Sequence, residues 1–81
     1  MARRVTPAQR RALIWLLKHD GTQKMSDLMM AGNVGAQTVH NLVYDRLIRA
    51  KYADVWGSGA RPIETVSLTV AGRKLAEEQE Q

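Results

Sequence analysis

The chain contains no cysteine, which excludes disulfides and thiolate metal sites and fits a reducing cytosol. It also lacks long apolar runs. The longest spans residues 12–17, far short of the ~18 residues a membrane-spanning helix needs. No secretory signal pattern opens the sequence. With two histidines and no cysteine, a zinc site is a poor fit. Neither "GNVG" nor "GSGARP" carries the Lys-Ser/Thr pair that a phosphate-cradling loop requires. His19 and Asp20 are neighbours, but a histidine at a helix C-terminus complements the helix dipole and needs no catalytic role. His40 has no adjacent acid. No catalytic arrangement stands out, so the reading is a non-enzyme without metal or organic cofactor. So small a core leaves no room for a small-molecule substrate pocket. No internal repeat, linker or low-complexity segment appears beyond a short acidic tail.

What the chain does have is positive charge. Its 81 residues suit one domain with one small core. The formal charge is +4, from 12 Lys+Arg against 8 Asp+Glu. Three of those acids sit in the final "EEQEQ", so the body of the chain is more basic than the total suggests. A small basic domain favours polyanions such as nucleic acid, with plain solubility as the ordinary alternative.

Periodicity divides the chain into elements. "VTPAQRRALIWLLKHDG" predicts a helix with Thr6 as cap, Pro7 at the first helical position and Gln9 completing a capping box; Gly21 is its natural stop. Leu13, Leu16 and Leu17 form its inward stripe, while Ile14 and Trp15 point largely away from it. Their surroundings are either another part of this chain or a second subunit, which makes Ile14 and Trp15 a candidate homodimer surface. "TQK" predicts an extended stretch or very short strand. "MSDLMMAG" predicts a short helix with Leu28 and one or both of Met29 and Met30 inward. "GNVG" breaks the pattern: Gly32 and Asn33 accept left-handed backbone angles, and Val34 plugs the core. "AQTVHNLVYDRL" resumes helical spacing, with Val39, Leu42 and Val43 inward. Two β-favouring runs around "GSGARP" predict a hairpin in which Val66 and Leu68 share a face. The inward parity of the first strand and the side taken by Trp56 both stay open. Thr69 predicts the cap of a last short helix, anchored by Val70 and Leu75.

Residues 25–48 resemble a helix-turn-helix, and the hairpin makes the chain resemble a winged helix-turn-helix DNA-binding protein. In that family a buried leucine of the first helix precedes a buried valine of the recognition helix by eleven residues, as Leu28 precedes Val39. Asn33 stands where glycine is usual at the turn. Val34 matches the apolar turn residue, and Leu42 the next buried position. Met29 stands where a small residue is usual, and Gly32 where a bulkier apolar one is. "SLTVAGRKL" resembles the closing segment of many bacterial winged-helix regulators. The resemblance implies an α+β, mainly α fold: helix, short strand, helix, helix, β-hairpin wing and short C-terminal helix. It implies one winged-helix domain over residues 1–76, with residues 77–81 a frayed acidic tail. Regulators of the MarR and PadR kinds dimerise through long flanking helices, which this chain does not offer.

The function implied is sequence-specific binding of double-stranded DNA in the cytoplasm, by a transcriptional regulator or a phage or plasmid DNA-transaction factor. Gln37, Thr38, His40, Asn41 and Tyr44 of the reading helix supply short or planar polar groups for base edges. No lysine or arginine lies between Lys24 and Arg46. Backbone contacts therefore fall to Lys24, Arg46, Arg49, Lys51 and the wing residue Arg61, with Arg3, Arg4, Arg10 and Arg11 as further candidates. Two half-sites bound by a homodimer would raise affinity over one. A left-handed nucleic-acid reader is a minor alternative on Tyr44 and Trp56, but the wing lacks the proline-rich run that subclass carries. The main alternative is a protein-interaction adaptor without DNA binding. The uncharged reading helix and Trp15 favour the adaptor; the basic flanks favour DNA.

Overall fold

The structure is a computed structural model that describes residues 5–19, 21–53 and 62–80. Its elements follow the order α1 (Pro7–Lys18), β1 (Gln23–Lys24), α2 (Met25–Gly32), α3 (Ala36–Tyr44), β2 (Ile48–Tyr52), β3 (Ile63–Leu68) and α4 (Val70–Glu80). This is a small α+β architecture of four helices and one three-stranded antiparallel sheet, strand order β1-β3-β2. Among the described residues, no helix is long and apolar enough to cross a membrane.

Local chemistry explains most element ends. The Thr6 side chain accepts the Gln9 backbone N–H at 3.1 Å, and the Gln9 side chain accepts the Thr6 N–H at 3.2 Å. Both partners of the capping box are thus in place, with Pro7 opening the helix. α1 stops at Lys18, and Gly21 takes φ +97° just beyond it. Asn33 follows α2 with φ 51° and ψ 53°, the left-handed turn its short amide side chain tolerates. The next N–H, of Val34, reaches back to the Met29 carbonyl at 3.1 Å, which closes α2 as a Schellman turn. The same device ends α3. Arg46 takes φ 62°, and the Leu47 N–H reaches the Leu42 carbonyl at 3.0 Å. A long β-unbranched cation at a left-handed position is an exception to the usual glycine or asparagine.

One core gathers Leu13 and Leu16 of α1, Met25 and Leu28 of α2, Val34 of the turn, Val39 and Leu42 of α3, Ile48 and Val66 of the sheet, and Leu75 and Ala76 of α4. Leu17 and Val43, both expected inward, are half-buried at its margin, as is Met29; Met30 is 83% exposed. The register settles the inward parity of β2. Ile48 pairs with Leu68 and Ala50 with Val66, so Ile48 and Ala50 face the helices, up to a register shift between Lys51 and Tyr52. Arg49 opposite Ser67 and Lys51 opposite Thr65 lie on the outer face.

α4 departs from expectation at both ends. Val70, expected to anchor it, is 86% exposed. The inward positions are Gly72, Leu75 and Ala76. A Cβ at Gly72 would fall inside the van der Waals radius of the Leu47 carbonyl oxygen. That backbone contact sets the phase of the helix and turns Val70 outward. The acidic end, expected to fray from residue 77, is helix in this structure. α4 continues to Glu80, and an Arg10 guanidinium N–H from α1 donates to the Gln79 carbonyl at 3.2 Å. A cation at a helix C-terminus satisfies an orphan carbonyl and complements the dipole.

Candidate nucleic-acid interface

α3 is built to present one polar face. At about 100° per residue, Gln37, His40, Asn41 and Tyr44 fall on one arc opposite Val39 and Leu42. All four are exposed, Tyr44 at 88%, whereas Val39 and Leu42 are fully buried. Thr38, expected on the same face, is half-buried at its edge. The Gln37 side-chain N–H donates to the Asn41 side-chain oxygen at 3.0 Å, one turn along the helix. The two amides therefore hold each other in place on the surface. Nothing charged interrupts this face.

The cations expected around it fall into groups. Lys24 and Lys51 both pair with Thr65, from opposite sides of β3. Directly opposed residues of antiparallel strands project to the same face. Lys24, Lys51 and Arg49 therefore share the outer sheet face with the hydroxyls of Thr65 and Ser67, and all three cations are exposed. Arg46 sits at the left-handed corner between α3 and β2. Arg3, Arg4, Trp56 and Arg61, and with them residues 54–61 where a hairpin turn was expected, lie outside the described residues.

Arg10 and Arg11 hold the protein's own backbone. Arg11 donates from Nε to the Gly32 carbonyl at 3.0 Å and from Nη2 to the Asn33 carbonyl at 3.1 Å. It thereby caps the end of α2 from α1 and ties down the α2–α3 turn. Sequence reasoning treated Arg11 only as a candidate phosphate contact, because a cap supplied from 21 residues away leaves no local signature. Gly32 is buried, and a Cβ there would meet Leu28 and Val34 side chains at 3.8 Å or more, which is ordinary contact. The corner thus has room for one methyl group.

The start of α4 braces the other end of α3. The Thr69 N–H donates to the Leu47 carbonyl at 3.1 Å. Its hydroxyl lies 2.8 Å from the Arg46 carbonyl and 3.1 Å from that of Leu47, and it accepts the Gly72 N–H at 3.0 Å. Thr69 is the cap expected from sequence, but it also fastens the corner that Arg46 turns.

Ile14 and Trp15 are half-buried and line a shallow groove of about 280 Å³ between α1 and the end of α2. The Trp15 indole stacks on the His19 imidazole with ring centres 4.3 Å apart, and His19 Nδ1 lies 2.9 Å from the Trp15 carbonyl oxygen.

Compared with protein-family models, curated proteins and solved structures, the chain finds no match.

Proposed function

We propose that this chain is a winged helix-turn-helix protein that binds double-stranded DNA sequence-specifically, with α3 in the major groove. One observation carries the reading. Leu28 and Val39, eleven residues apart, are both fully buried, with the left-handed Asn33 and the buried Val34 between them. Both side chains join the one core, where α3 packs on α1 and β2, and the uncharged polar face of α3 is left outward. Gln37 and Asn41 offer amides suited to adenine, and His40 and Tyr44 extend the face along the helix. Lys24, Arg46, Arg49 and Lys51, with Arg61 of the β2–β3 connection, hold phosphates and set the register. The role is transcriptional regulation or another DNA transaction of a phage, plasmid or small cellular regulator.

Binding to random duplex DNA across a salt series tests this directly. Affinity should fall with salt at a log–log slope of about −0.9 per phosphate contacted. Absence of binding at low salt would sink the DNA reading. The second reading, a protein-interaction adaptor, is favoured by the groove beside Ile14 and Trp15.

A further inference from the structure

The groove between α1 and α2 has a lining of two chemistries. Ile14, Trp15, Ala31 and Gly32 give it an apolar surface, and Arg10, Arg11 and Lys18 a cationic one. None of the described residues lining it is acidic. Two of its cations are held in position: Arg11 by the Gly32 and Asn33 carbonyls, Arg10 by the Gln79 carbonyl. A guanidinium has five N–H donors, so each keeps others for a ligand and loses little freedom when it binds one. The indole is held too, stacked on His19.

From this we infer that the groove docks an acidic peptide segment of another protein, one large apolar side chain meeting its apolar surface with carboxylates on either side. The volume of about 280 Å³ suits one or two such side chains and not a whole helix. Charge complementarity supplies the flanks: three cations meet the carboxylates, and Arg10 and Arg11 can bind them in two-point fashion. The charge also argues against a second copy of this chain. A two-fold interface would set the same three cations against each other. The acidic end of α4 from another copy lacks an anchor within residues 76–81, which hold no large apolar side chain. Duplex DNA brings phosphate charge but no large apolar side chain to cover the apolar surface. The inference stands apart from the DNA reading, because it uses no residue of α3 or the sheet.

The test is an amide chemical-shift titration of the full-length, isotope-labelled protein with three synthetic decapeptides. One carries a central leucine flanked by glutamates, one is all glutamate and serine, and one replaces the glutamates with lysine. The first should shift Ile14, Trp15, Ala31 and Gly32 and saturate; the other two should bind at least about tenfold more weakly. Lys18→Glu, at an exposed position, should cost about tenfold in binding and lower the melting temperature by only a few degrees, the loss of one cation from the last turn of α1. Ile14→Ala should weaken binding as well, and its unbound spectrum reports whether the fold is kept. The inference is overturned if the leucine peptide gives no shifts at millimolar concentration, or if the anchor-free peptide binds as well. It is equally overturned if the groove amides shift with protein concentration alone, as for a homodimer, or only with duplex DNA.

Discussion

At the start of α4, Thr69 commits its N–H, hydroxyl and carbonyl to Arg46, Leu47, Gly72 and Arg73 of its own chain. On the outward face of α3, the side chains of Gln37, His40, Asn41 and Tyr44 make one hydrogen bond among the described residues, and it joins two of them to each other. Both regions are polar and lie within a few residues of the same corner. The first is polar because backbone groups there need partners once buried. The second has no such debt to the fold, and its side chains are free to meet something else. Polarity with a local partner belongs to stability; polarity without one is where recognition chemistry can sit.

Substitutions can break that contrast, and the largest effect belongs to the α4 corner. Gly72→Ala forces a methyl group against the Leu47 carbonyl oxygen. It should cost about 3 kcal/mol, a fall in melting temperature of roughly 12–24 °C for a domain of this size. A melt close to that of the parent would mean that α4 does not press on Leu47. Asn41→Ala should behave in the opposite way. Thermal stability stays within about 0.5 kcal/mol, as for exposed sites, while the preferred duplex loses about 1–3 kcal/mol of binding and discrimination relaxes. An unchanged preference in competition binding would remove Asn41 from the reading face. The smallest effect falls between the two regions, at the α2–α3 turn. Gly32→Ala fills ordinary space at the last residue of α2 and should stabilise by about 0.5–1 kcal/mol in denaturant melts. A loss there would show that the corner requires glycine.

Signals that act over three or four residues were legible in the sequence. Thr6 with Gln9, Asn33 at the turn and Thr69 before α4 each needed only their immediate neighbours. Leu28 and Val39 could be read because helical periodicity and one spacing rule place both. Contacts between distant segments were not legible. The parity of β2 depends on which residues of β3 lie opposite, and Ala50 against Val66 decides it. Val70 faces outward although its apolar side chain suggests an anchor, because the backbone contact at Gly72 sets the helix phase. The acidic end of α4 looked frayed by composition alone, and its cap, Arg10, comes from the far end of the chain. On the candidate interface, sequence placed Gln37, His40 and Asn41 on one exposed face, yet it had no means of pairing Lys24 with Lys51 across Thr65. That pairing exists only once the sheet has formed.

The hydrogen bond between the Gln37 and Asn41 side chains links two amides that would otherwise rotate independently. With Gln37 donating and Asn41 accepting, the outward-pointing groups are the Gln37 oxygen and the Asn41 nitrogen. Turning one amide over by itself would set two donors or two acceptors against each other, so the bond survives only if both turn together. The pair therefore has two matched settings: acceptor then donor along the helix axis in one, donor then acceptor in the other. An exposed pair one turn apart is worth about 0.2–0.5 kcal/mol, so a ligand that fixes one amide biases the other a full turn away, and one that grips a single amide through both its atoms breaks the link.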